Sequence, residues 1–145
     1  MIRILCVGKI KEKYLSDLIQ DYKTRITKYH KIEILELKDT NINKESNEIL
    51  GSINDKDFNI CMDINGKEYT SLELSNIIDN AFTSGHGTIT FIIGGSDGIN
   101  EEVKNKCNLR LSFSKLTFPH GLFRGILLEQ IYRSFKILNN ESYHK

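Results

Sequence analysis

Proline occurs once in this chain, at Pro119, and tryptophan not at all; cysteine occurs three times, as Cys6, Cys61 and Cys107. An odd number of widely spaced cysteines, each beside apolar neighbours, argues against a disulfide framework and against a metal site, and predicts small buried hydrophobes. Phosphate fingerprints are also missing. No G-x-G-x-x-G follows the first apolar segment and no G-x-x-x-x-G-K-[ST] occurs anywhere, so neither a dinucleotide site nor a P-loop is supported. The stretch MIRILCVGKIKEKY has no basic run ahead of its apolar residues and turns at once to charge, which argues against a signal peptide or a spanning helix. The expectation is a cytoplasmic protein with no membrane contact. No repeat, linker or low-complexity tract interrupts the chain. With 39% hydrophobic and 27% charged residues, a length of 145 is enough for one domain with a real core and too little for two, so residues 1–145 are expected to form a single domain.

What is present is unevenly arranged. Residues 1–31 carry eight Lys or Arg against three Asp or Glu, residues 32–109 carry six against fourteen, and residues 110–145 carry six against two. A polyanionic partner would favour a surface built from the two basic ends, because neutralising phosphates with Lys and Arg releases counterions. The same numbers also fit a solvated surface with no such role.

Apolar periodicity alternates between two kinds of segment. IRILCVG reads as a buried strand, followed by Tyr14, Leu15, Leu18, Ile19, Tyr22 and Ile26 at helical spacing. KIEILEL is a second strand, a polar helical segment spans about Glu45 to Ile53, and FNICMDI is a third strand ending in a turn at Gly66. Thr70 or Ser71 can cap the next helix, whose apolar face is Leu74, Ile77, Ile78, Ala81 and Phe82. TITFIIGG, INEEVKNKC and LRLSFS read as strand, short helix and strand, before a last helix from about Pro119 to Leu138. This alternation predicts an α/β domain with a mainly parallel sheet flanked by helices. In such sheets ligands sit beyond the carboxyl ends of strands, which points to the loops after Ile64, Ile93 and Phe113.

Two motifs fall there. GGSDG, Gly94 to Gly98, matches G-x-S-x-G and raises a hydrolase with Ser96 as nucleophile, although it then needs an acid and either His120 or His144 downstream. The glycines equally serve close backbone approach. In the second motif, Pro119 disfavours helix at Phe118, so the helix should start at Pro119 and face back to a rigid loop lined by Phe113, Leu116 and Phe118. A flat ligand could be gripped there by backbone groups. The helix that follows carries Leu122, Phe123, Ile126, Leu127, Leu128, Ile131, Phe135 and Leu138, more than one stripe, which predicts a dimer interface in preference to complete burial inside the domain.

The segments VGKIKEKY, DINGKEYTS, FIIGGSDGI, LSFSKLTFPHGLFRGILLEQIYRSFKI and the terminal YHK together resemble the RlmH family of small SPOUT-class methyltransferases, over essentially the whole chain. The resemblance implies S-adenosylmethionine-dependent methylation of N3 of a pseudouridine in helix 69 of 23S rRNA within the 70S ribosome, or of another RNA site by the same chemistry. It implies a homodimer and a C-terminal trefoil knot, within about residues 88–138, with a tail at 139–145. By similarity the cofactor positions are Met62, Gly94, Phe113, Ser114, Lys115, Leu116, Thr117 and Phe118. Met62 stands where relatives have Leu, and the segment between Asp39 and Glu45 is about ten residues shorter than in relatives. The tail of one protomer is expected to complete the site of the other, with His144 as proton acceptor or hydrogen-bond partner and Tyr143 and Arg124 in positioning roles. Arg133 and Lys145 are the expected RNA contacts, and no metal is needed.

Overall fold

The computed structural model describes residues 1–145. Five strands, β1 (Ile2–Val7), β2 (Ile32–Leu37), β3 (Phe58–Glu68), β4 (Ile89–Ile93) and β5 (Leu109–Ser112), alternate with helices α1 (Lys13–Ile26), α2 (Ile42–Ser52), α3 (Ser71–Thr83), α4 (Glu101–Lys106) and α5 (His120–Leu138). All neighbouring strands pair in parallel, in the order β2-β1-β4-β3-β5. The fold is therefore the α/β class with a parallel sheet flanked by helices. No helix is long and apolar enough to cross a membrane.

Side-chain alternation along the strands divides the core in two. Ile2, Ile4 and Cys6 of β1 join Phe91 and Ile93 of β4 and Ile60 of β3 in a cluster of 19 buried residues under α1, α3 and α5. Leu5, Val7, Cys61 and Ile92 point the other way, into a cluster of 7 under α2 and α4. Crossovers that move toward β2 place their helices on one face and those that move toward β5 on the other, as a uniform crossover hand requires. The isoleucine-rich strands are thus buried on both sides, which is why they read as apolar runs and not as alternating ones.

Three expectations are corrected at the element level. The third strand does not end at Ile64. It continues to Glu68, with an irregularity in its pairing to β5 between Met62 and Lys67. Gly66 lies at that irregularity because a Cβ there would meet the backbone of Arg110 at 2.7 Å. Pro119 is the residue capping α5, with φ −57° and ψ 141°, and the helix proper begins at His120. The breadth of apolar surface on α5 has an internal cause. The helix packs against both α1 and α3 over the sheet and buries Leu127, Leu128, Ile131, Tyr132 and Phe135. Gly121 and Gly125 permit the close approach to α1, since a Cβ on either would meet Leu15 or Leu18 at 2.8 Å.

Candidate functional site

A cavity of about 410 Å³ opens at the carboxyl ends of β3, β4 and β5, within the range of small-molecule sites. Three stretches line it: Met62 to Ile64, Ile93 to Ser96 with Gly98 and Ile99, and Leu111 to Ser114 with Leu116 to Phe118, closed by His120 and Phe123 of α5. Its wall is largely apolar. Phe123 stacks beside Phe113 and Phe118, with ring centroids 5.5 and 6.1 Å away.

The backbone of the loop after β5 is largely uncommitted. The Phe113, Lys115, Thr117 and Phe118 N–H groups bond to no other backbone group, while Leu116 N–H donates to Ser114 Oγ at 3.0 Å and the Ser112 hydroxyl donates to Ser114 O. Two local bonds therefore shape the loop and leave its other donors free for a flat polar edge. On the opposite wall Gly94 cannot carry a side chain. A Cβ there would meet Gly98 O at 2.6 Å. On the β3 side, Asp63 accepts from Asn65 N–H at 3.0 Å and pairs with Lys104 at 3.2 Å, which fixes its carboxylate in the cavity wall.

Seven of the eight positions expected to hold a cofactor, Met62, Gly94, Phe113, Ser114, Leu116, Thr117 and Phe118, line this cavity. Lys115 faces the adjoining cleft beside Ile64, Asn65, Gly66 and Glu68. The sequence reading missed Glu45 of α2, a buried carboxylate that accepts from Thr40 N–H at 2.8 Å and fills the space beside Gly95, with Oε1 2.6 Å from where a Cβ would stand. No local signal marks a glutamate in a polar helix as buried. The hydrolase reading also loses its geometry. Ser96 lines the cavity, but it makes no hydrogen bond to a histidine, and the only non-glycine residue with positive φ is Asn140, so Ser96 does not sit in the strained turn of a nucleophile elbow.

The remaining expected residues lie elsewhere. Arg124, only 3% exposed, donates to Glu36 Oε2 at 2.6 Å and to Gly8 O at 3.1 Å, tying α5 to the ends of β1 and β2. Tyr143, His144 and Arg133 form a second cluster near the end of α5, organised by Glu129. Glu129 Oε1 accepts from Arg133 Nε at 3.0 Å and from the Tyr143 hydroxyl at 3.1 Å, and the Arg133 guanidinium lies over the Tyr143 ring. Arg133 Nη1 lies 3.1 Å from His144 Nδ1. A guanidinium only donates, so Nδ1 of the exposed His144 accepts and the imidazole proton is on Nε2. Burial, with Tyr22 and Glu129 nearby, pushes the Tyr143 phenol well above the usual tyrosine range, and the Glu129 carboxylate raises Arg133 further. Tyr143 is therefore a donor and not a base at neutral pH. Lys145 is exposed at the chain end. Arg133 is ten residues beyond Phe123, the last cavity residue on α5, about 15 Å at 1.5 Å per residue, so one chain does not bring its tail to its own cavity along this helix.

A family model described as "Predicted SPOUT methyltransferase" matches residues 1–144. Over 99% of both chains, the protein is 49% identical to the ribosomal RNA large subunit methyltransferase H of Clostridium botulinum strain Langeland, and 47% identical to that of strain Eklund 17B. Among solved structures, a probable methylase family protein from Haemophilus influenzae Rd KW20 superposes with a TM-score of 0.61 at 11% identity, covering 99% of this chain and 70% of that one. The ribosomal RNA small subunit methyltransferase E of Neisseria gonorrhoeae, bound to S-adenosyl methionine, gives 0.55 at 11% identity, covering 94% and 66%. At such identities the structures speak for the fold.

Proposed function

Because the chain belongs to the SPOUT methyltransferase family, we propose that it transfers the methyl group of S-adenosylmethionine to N3 of a pseudouridine in helix 69 of 23S ribosomal RNA, as a homodimer acting on the assembled 70S ribosome. Near-half identity over the full length of proteins named for large-subunit rRNA methylation supports the substrate class. The observation that carries the reading is the cavity at the strand ends, lined by an aromatic cluster and by a loop with unpaired backbone donors. Residues 1–145 act in this reading as one methyltransferase domain, knotted at its C-terminal end.

The cavity's chemistry suits that cofactor. Met62, Phe113, Phe118 and Phe123 offer a face for a flat heteroaromatic ring, and the free amides of Phe113, Lys115, Thr117 and Phe118 can meet its polar edge. Gly94 lets the chain approach without a side chain between. When bound, S-adenosylmethionine supplies an electrophilic methyl group on a sulfonium sulfur. The protein's task is then to place the base and stabilise charge on it. His144, with its proton on Nε2 and Nδ1 engaged by Arg133, is not free to accept the N3 proton, which passes to solvent water; it is suited to donate a hydrogen bond to the resulting anionic base, and Arg133 holds the ring in that orientation while adding positive charge. Tyr143 anchors the tail through Glu129. Arg124 acts at a distance, as a positioning residue for the first turns of α5.

A second copy is invoked because the tail lies about 15 Å along α5 from the last residue of its own cavity, Phe123. Of the six exposed large hydrophobic residues, Ile64 and Leu116 line the cavity and Leu122 follows Gly121 on the helix that closes it, and these are the ones a partner would cover. The test is transfer of tritiated methyl to 70S particles lacking the modification. Label at N3 of the helix 69 pseudouridine is expected; label at another nucleotide would move the site, and none at all would reject the reading. For the composite site, deletion of Ser142–Lys145 and Gly94→Val should each abolish transfer, and mixed dimers of the two should regain it at one site. A fully active truncated homodimer would overturn the arrangement.

A further inference from the structure

The cavity is lined by no lysine or arginine, and its one carboxylate is Asp63. A polyanion brought to it must therefore be held by cations outside it. We infer that the loop between β1 and α1, through Lys9 and Lys11, grips phosphates of the RNA strand whose target base is presented at the mouth of the cavity; this rests on the RNA methylation reading above.

The loop is fixed in place and adjacent to the cavity. Gly8 turns the chain out of β1 with φ +92°, a conformation few other residues adopt. Its backbone is held on both sides, the N–H donating to Leu37 O at 2.8 Å and the carbonyl accepting from Arg124 Nη2 at 3.1 Å. Two residues on, Ile10 reaches the first turn of α5. A Cβ on Gly121 would meet Ile10 at 2.9 Å and Leu15 at 2.8 Å, and the neighbour of Gly121 in sequence is His120, which lines the cavity. The buried side of the loop is thus docked on the helix that closes the cavity.

Its outer side carries Lys9 and Lys11, both exposed and neither in an ion pair. Lys13, by contrast, is paired with Asp17 at 2.7 Å. Of the acids around them, Glu36 is already engaged by Arg124, leaving exposed Glu12 and Asp39 against Lys9, Lys11 and Lys38. Two ammonium groups on a rigid support give phosphates a site with little ordering cost and no base preference, which suits an enzyme whose specificity lies in the base presented at the cavity mouth.

The test compares Lys9→Ala/Lys11→Ala with Lys56→Ala/Lys106→Ala, which removes equal charge near the opposite end of the sheet, all in the full-length dimer. For the loop variant, KM for unmodified 70S particles should rise roughly tenfold and the log–log salt slope of binding should fall by about 1.4, at about 0.7 per phosphate on single-stranded RNA. Its kcat and its affinity for S-adenosylmethionine by calorimetry should stay within twofold of wild type, and Lys9→Arg/Lys11→Arg should restore KM. The control should change none of these. An unchanged slope and KM in the loop variant would overturn the assignment, as would its dissociation to monomers by sedimentation, which would make the lysines subunit contacts. If the wild type itself neither binds nor methylates the particles, the functional reading fails, a result plainly different from a wild type that works and a loop variant that matches it.

Discussion

Arg124 illustrates at the residue scale how a charged side chain on an apolar helix acquires its meaning from packing. By composition it is a cation near the start of α5; in the structure it is buried, bonded to Glu36 and to the Gly8 carbonyl, with its Nε left without a partner. Removing one member of a buried pair strands the other, although Glu36 is a third exposed and solvent softens the loss. Arg124→Met should therefore cost about 2 kcal/mol in denaturant unfolding. A positioning role predicts that its methyl transfer falls through kcat while S-adenosylmethionine affinity stays within a few-fold. Equal losses in both would mean that the cavity itself has collapsed. Cys6 and Cys61 are buried as expected while Cys107 is only half-buried, and burial pushes the Cys6 thiol up to about 11.

At the scale of elements, the helix starts are where local chemistry was most legible. Thr70 caps α3, its hydroxyl accepting from Glu73 N–H at 3.1 Å while the Glu73 carboxylate accepts from Thr70 N–H at 2.9 Å. The sequence offered Thr70 or Ser71, and the reciprocal bond to Glu73 decides for Thr70; Ser71 instead donates to Gln130 on α5. Thr70→Ala should lower stability by about 1 kcal/mol, a fall in Tm of about 3 °C measurable by calorimetry. An unchanged Tm would show that the box adds nothing beyond packing. The run of β3 past Ile64 was not legible, because its continuation depends on β5 approaching Gly66, a contact between residues more than forty apart in sequence.

At the scale of the whole molecule, α1, α3 and α5 share one large core, and its end away from the cavity is closed by aromatic stacking. His30 lies between Phe82 and Phe135, with ring centroids 4.3 and 5.2 Å away. Burial there, reinforced by the chain's amino terminus, holds its imidazole below the usual value, so the folded state favours the neutral ring. The unfolded chain takes up the proton first as pH falls. The stability this gives is present above the ordinary value of about 6.5 and is lost as pH falls through the depressed one. The Tm difference between wild type and His30→Leu should therefore shift against the wild type between pH 7.5 and pH 5. A difference that is flat across this range would remove the effect.

The sequence by itself determined the kinds of element, the parallel α/β class, the loops that would border a site, and, through LSFSKLTFPHGLFRG, half of the residues that line it. These are local matters: hydrophobic period, turn chemistry and the restriction that Pro119 places on Phe118 act over a few residues. Only the tertiary structure decided that α5 lies between two helices, that Arg124 braces β1 and β2, that Glu45 backs Gly95, and that Glu129 gathers Arg133 and Tyr143 at the far end of the helix from the cavity. Each of these depends on where a long-range crossover delivers a side chain, and an interaction between distant residues leaves no trace in the spacing of either.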